Sequence, residues 1–259
     1  MDRNTPGPRL AGRCALVTGG ANGIGRAAVL RLAQDGAAVV IADVRADEAQ
    51  RLAAEVKAAG GSATWTACDV SDEASVQAAF QTARSDHGRV DVLVGVAGII
   101  DVGATHELAL ANWERVVRVN LTGMFLACKY ALQEFLRAGG GSIVTVASVA
   151  ATVGRNGGSA ACYGASKAGV LQLTRSIAVN YADDGIRANC VCPGSVETSL
   201  HVHSNLAADG VNRSKWINAP IQRRADPSEI AGAISFLASD DASFITGTAL
   251  MVDGGLTAI

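Results

Sequence analysis

From Cys14 onward the chain alternates short apolar runs with longer amphipathic stretches. The run from Cys14 to Gly19 ends in glycine, and the stretch after it, Arg26 to Gly36, repeats apolar residues at helical spacing. The same rhythm predicts strands at 37–43, 62–70, 90–98, 141–148, 185–194 and 246–255. It predicts helices at 46–61, 71–88, 162–185 and 227–239, the second opened by a Ser cap, and one long helix from Asn112 to Gly141. Seven strands, nearly all followed by a helix, predict an α/β class protein: a seven-stranded parallel sheet, doubly wound, with helices on both faces and right-handed crossovers. From Ser195 to Gln222 the pattern breaks into polar residues with scattered apolar anchors such as Trp216. A stretch that long inside a compact domain reads as a substrate lid (195–222).

Length and composition narrow the picture. With 259 residues, a single domain buries about three-quarters of its unfolded surface and needs no stapling. Aromatics are 4% and glycines number 29, which suits helices packed closely on a parallel sheet. We read 1–11 as a short N-terminal tail and 12–259 as one catalytic domain. The net charge of -2 argues against a nucleic-acid partner. Residues 1–10 carry no apolar core, so neither a signal peptide nor a membrane anchor is expected. Cys14, Cys68, Cys128, Cys162, Cys190 and Cys192 lie scattered in apolar segments, which suits reduced thiols of a cytoplasmic protein. Cys190 and Cys192 precede His201 and His203, yet the spacing reproduces no known zinc site, and no metal is expected.

The loop after the first strand, TGGANGIG, carries Gly19, Gly23 and Gly25 and runs straight into a helix. Glycines there permit a tight turn and close backbone approach to a pyrophosphate, whose charge the helix amides meet. The alternative is a plain tight turn. Asp43 closes the second strand, where a carboxylate accepts from the adenosine ribose hydroxyls and opposes a 2′-phosphate. That favours NAD over NADP, although Arg45 offers partial compensation. Asp43 is also well placed to cap the following helix. A Rossmann-type dinucleotide fold follows.

Tyr163 and Lys167 stand four apart in CYGASKAG and share a helix face. A phenol titrates near pH 10, and a neighbouring ammonium lowers that by about 1 to 3 units, which would make an acid/base for a hydroxyl proton. Alone, such a pair is more often a solvated helix face. Downstream of the glycine loop it is read as chemistry.

Taken together, these motifs resemble the short-chain dehydrogenase/reductases, and the resemblance runs from Gly12 to the end. TGGANGIG (including Asn22 and Ile24) fits that family's cofactor loop, Asp69 and Val70 its adenine-contacting pair, and Pro193, Gly194, Val196 and Thr198 its PGxVxT. The resemblance implies Asn120, Ser148, Tyr163 and Lys167 as the catalytic set. Tyr163 would transfer the proton, Lys167 would lower its pKa and bind the nicotinamide ribose, Ser148 would hold the substrate oxygen, and Asn120 would bind a relay water. Val44, Ala97 and Gly98 join the expected cofactor contacts. A homotetramer with helices pairing between subunits is implied as well. The family usually has asparagine where this chain has Gly95, which predicts a locally looser fourth strand. The expected substrate is a secondary alcohol or ketone of modest size. Arg155, Trp216, His201 and His203 are open candidates around it. The competing readings are an NADP-linked reductase of ketones or acyl-carrier thioesters, and a non-catalytic dinucleotide sensor.

Overall fold

The computed structural model describes residues 8–154, 160–198 and 219–259. Seven parallel strands form one sheet: β1 (Cys14–Thr18), β2 (Ala38–Asp43), β3 (Ser62–Ala67), β4 (Val92–Gly95), β5 (Gly141–Val146), β6 (Ile186–Pro193) and β7 (Ala249–Val252). Their spatial order is β3-β2-β1-β4-β5-β6-β7, so the winding reverses between β1 and β4. Loops on either side of such a reversal diverge and leave a crevice at the carboxyl ends of the strands.

Successive side chains of each strand face opposite cores. Cys14 and Leu16 pack with α3 (Glu73–His87), α5 (Gly123–Ala138) and α6 (Ala161–Asn180). Ala15 and Val17 pack on the other face with α1 (Gly23–Gln34), α2 (Ala46–Ala58) and α7 (Pro227–Ala238). Leu10, which the sequence reading assigned to the tail, packs here too. Leu10 is buried and its N–H donates to Asp35 O at 2.8 Å. Among the described residues no helix is long and apolar enough to cross a membrane.

Helix ends follow the local chemistry. Asp226 and Glu229 form a reciprocal capping box ahead of Pro227. At α3 the cap is Asp72, which accepts from Ala74 N at 3.1 Å, rather than the expected serine; Ser71 instead donates to Asp69.

The expected single helix from Asn112 to Gly141 is three pieces. α4 (Leu110–Val117) runs into a π turn at Arg118–Thr122, and α5 continues from Gly123. A π turn adds a residue to the helical path, and here it turns Asn120 fully inward, where both faces of its amide are bonded. No apolar periodicity encodes that.

Gly95 does not loosen β4. It pairs in register with Thr18 and Thr145, and a Cβ built on it would collide with Sδ and Cε of Met124. The thioether fills the space an asparagine would need. Gly95→Ala should therefore destabilise the fold by about 1 kcal/mol or less in urea unfolding, because the end of the Met124 side chain can shift, and that cost should fall away in a Met124→Ala background. Equal costs in both backgrounds would show that the two residues do not interlock.

Candidate active site

At the crevice, the first loop is held by close backbone contacts. A Cβ at Gly19 would lie 2.7 Å from the Ala97 backbone, and one at Gly25 would overlap Gly19 O. Gly19 (φ 66°) and Gly23 (φ 52°) take conformations that favour glycine. Asn22 caps α1, accepting from Gly23 N at 2.6 Å. Asp43 is buried and braces this loop: Oδ2 accepts from Ala21 N at 2.9 Å and Oδ1 from Arg45 N at 3.0 Å. It does not cap α2, whose N-terminal position is Arg45 with no side-chain cap bond. The Arg45 guanidinium lies 3.5 Å from Oδ1.

The second half of the site comes from α6, β5 and the π turn. Tyr163 and Lys167 share the inner face of α6, with Lys167 Nζ 5.8 Å from the phenol ring centre and donating to Val146 O at 2.9 Å. Ser148, just past β5, accepts from Ala150 N and hydrogen-bonds the Tyr163 hydroxyl. Asn120 is tied to Ile99 in both directions, accepting from its N–H at 2.8 Å and donating to its O at 2.9 Å. Its other amide proton goes to Ser166 Oγ at 3.0 Å.

A cleft of about 930 Å³ joins the two halves. One end is polar, with Asp43, Arg45, Asp69 and Ser71. The other, around Ser148 and Tyr163, is walled by Ile99, Ile100, Val102, Val149, Ala150 and Val153.

Known proteins resemble this chain along nearly its whole length. A family model described as enoyl-(acyl carrier protein) reductase covers residues 19–257. The cis-4-hydroxycyclohexanecarboxylate dehydrogenase of Sinomonas cyclohexanicum is 48% identical over 98% of this chain and 100% of its own length. The chain belongs to the short-chain dehydrogenase/reductase family. Cyclohexanol dehydrogenase of an Acinetobacter species is 39% identical over 95% of each chain. A gluconate 5-dehydrogenase from Burkholderia cenocepacia, solved with NADP and tartrate, superposes with a TM-score of 0.90 at 34% identity, covering 98% of each chain. As a member of the family, this short-chain dehydrogenase/reductase binds a nicotinamide dinucleotide and interconverts a secondary alcohol and a ketone.

The residues present fit such a cofactor. Glycine stands at each point where a side chain would block the floor: Gly19 against Ala97, Gly23 against Thr198, and Gly98, where a Cβ would sit 3.3 Å from both Asn120 Oδ1 and Lys167 Nζ. Of the expected contacts, Gly19, Asn22, Gly23, Ile24, Asp43, Val44, Asp69, Val70, Ala97, Gly98, Pro193, Gly194, Val196 and Thr198 line the cleft of this dehydrogenase/reductase, as do Ser148, Tyr163 and Lys167. Gly25 and Asn120 stand behind the wall. Arg155, His201, His203 and Trp216, and most of the expected lid, lie outside the described residues.

One electrostatic expectation is corrected. Burial pushes the Tyr163 phenol above its usual value; the Ser148 hydrogen bond opposes this, and Lys167 is not among the charges that offset it. The lysine responds to burial more strongly. Desolvation of its ammonium, only 3% exposed, pulls it from 10.5 to about 8. The periodicity reading missed Ser166, and also Asp101, a buried carboxylate that pairs with Arg115 at 3.0 Å beside the apolar wall. A buried aspartate in a loop carries no periodic signal.

The Lys167 shift has a stability consequence in this dehydrogenase/reductase. Between about pH 8 and 10.5 the unfolded chain keeps a proton on Lys167 that the native protein has released, so the contribution of this group to stability rises with pH through that window, against the opposite contribution of the buried thiols of Cys14, Cys68 and Cys128, which burial pushes up. Below about pH 8 the buried charge costs roughly 3 kcal/mol. Lys167→Met should raise the urea midpoint of the free protein at pH 7, and its gain over the parent should shrink as pH rises from about 8 to 10.5. A gain that stays constant across that window would overturn this assignment.

Proposed function

We propose that this chain is an NAD-linked dehydrogenase of secondary alcohols borne on a carbon ring, with Asn120, Ser148, Tyr163 and Lys167 as its working set. The observation that carries the reading is the meeting of the Tyr163 hydroxyl with Ser148 at the apolar end of the cleft, one helical turn from a buried lysine. When bound, the nicotinamide supplies the hydride donor or acceptor. The protein's residues handle the oxygen and its proton. Ser148 Oγ orients the substrate oxygen, while Tyr163 Oη takes the hydroxyl proton on oxidation and returns it on reduction. With a pKa pulled to about 8, Lys167 exchanges its own proton near neutral pH and so serves the phenol as a proton station. Both amide protons of Asn120 are committed to Ile99 and Ser166. Its part is therefore to hold the 98–99 backbone beside Lys167; a relay water would have to use its carbonyl side.

Apolar walls around the polar pair favour a ring over a polyol, and relatives acting on cyclohexanol and 4-hydroxycyclohexanecarboxylate support that choice. Buried Asp43 at the adenosine end supports NAD, because a 2′-phosphate there would face a carboxylate. The Arg45 side chain beside it and the NADP in the gluconate dehydrogenase structure favour the second reading, an NADP-linked reductase. Six buried free thiols fit a reducing cytoplasm. For assembly we infer a homotetramer, supported by the exposed Phe125 and Leu136 on α5 and Val179 on α6. A sedimentation experiment at micromolar protein should find four copies, and a persistent monomer would dismiss that inference.

The main test follows dinucleotide reduction by absorbance with cyclohexanol, cis-4-hydroxycyclohexanecarboxylate and a tetritol, each with NAD and NADP. Turnover of the ring alcohols with NAD is expected. Activity confined to the polyol would refute the substrate class, and a preference for NADP would refute the role of Asp43. Tyr163→Phe should bind NADH normally by fluorescence while kcat falls by about 10²–10⁴-fold.

A further inference from the structure

Ser166 lies between Tyr163 and Lys167 in the chain, and it is 1% exposed. Its hydroxyl donates to the carbonyl of Tyr163 at 2.8 Å and accepts from Asn120 Nδ2 at 3.0 Å. The first bond is ordinary, since a helical serine commonly bonds back to a carbonyl one turn earlier. The second is not local: it crosses from α6 to the π turn and ends on an amide already clamped to the Ile99 backbone.

We propose that Ser166 is a positioning residue of this site, the hydroxyl through which Asn120 sets the orientation of the helix turn carrying Tyr163 and Lys167. The inference rests on the reading of Tyr163 as the proton-transferring group. Three observations support it. The bonds form one chain, Ile99 to Asn120 to Ser166 to the Tyr163 backbone, with each member bonded on both sides. Asn120 is fully buried, so an amide proton released by Ser166 would have no solvent to turn to. Gly98 brings the far end of this chain back to the lysine, because a Cβ there would stand 3.3 Å from both Asn120 Oδ1 and Lys167 Nζ. Rotation of the Asn120 amide would therefore shift the loop next to Lys167 and the turn bearing Tyr163 at once.

A serine serving only its own helix would behave differently. Alanine is the better helix former, so Ser166→Ala would then be neutral or mildly stabilising and silent in catalysis. If the hydroxyl positions the phenol, Ser166→Ala should lower kcat on the ring alcohol by about tenfold and displace the pH profile of kcat. KM for NAD should stay within about twofold, since the hydroxyl is not part of the cleft wall. Ser166→Thr, which keeps the hydroxyl, should recover most of the rate. A double-mutant cycle with Asn120→Ala isolates the link: the double variant should be no slower than Asn120→Ala alone, whereas losses that multiply would overturn the proposal. A Ser166→Ala enzyme with parental kcat and pH profile would overturn it equally. If the parent itself turned over no alcohol in any arm of the panel, the functional reading would fall first. The same cycle read in urea unfolding would still decide whether Asn120 and Ser166 are coupled, and additive destabilisation there would end the proposal.

Discussion

Burial of the central strands of a parallel sheet on both faces is the constraint from which the rest of this molecule follows. Residues of β1 face two separate apolar cores in strict alternation, so side chains in the middle of this strand meet no solvent. Backbone N–H and C=O groups run out of strand partners only at the two ends, and there side chains must complete the hydrogen bonding. At the amino end that demand is met structurally. Asp91 is buried, accepts from Cys14 N at 2.8 Å, and is ion-paired with Arg13 and Arg89. At the carboxyl end the same demand is met by Asp43, Asn120 and Lys167, which accept from or donate to the loop and strand-end backbone around the crevice. The polar groups that tie the loops together are thus the ones proposed to carry the chemistry.

That economy has an electrostatic cost. Lys167 is buried, donates to the Val146 carbonyl and has a phenol ring nearby, and the free protein holds its ammonium at a disadvantage. Tyr163 is likewise held back from ionising by its surroundings. The two shifts run in opposite directions, so in the free protein the neutral phenol stands beside a lysine that gives up its proton near pH 8. A protonated Lys167 can therefore return a proton to an ionised Tyr163 downhill, whereas forming the phenolate needs help from the bound substrate and cofactor.

Much of the site was legible in the chain alone. Apolar periodicity with glycine and proline punctuation located all seven strands and nearly all the helices, because local propensity and burial pattern agree there. The glycine loop, Asp43 and the Tyr163–Lys167 spacing could be read because each needs particular residue types at fixed local offsets. The π turn at Asn120 and the aspartate cap of α3 could not, since both depend on which partner is nearest in space. Gly95 looked like a weakness because Met124, 29 residues on, is invisible from its position. Ser166 carries no local signal for the same reason, its partner Asn120 lying 46 residues away.

The division has one physical origin. Periodicity, turn chemistry and i,i+4 spacing are properties of a few consecutive residues, so the sequence determined the strands, the helices, the glycine loop and the spacing of the proposed acid/base pair. Burial and long-range hydrogen bonds arise only when distant segments are packed together. Tertiary structure alone therefore decided the direction of the Tyr163 and Lys167 shifts, the commitment of both Asn120 protons, the bracing of the glycine loop by Asp43, and the filling of Gly95 by Met124.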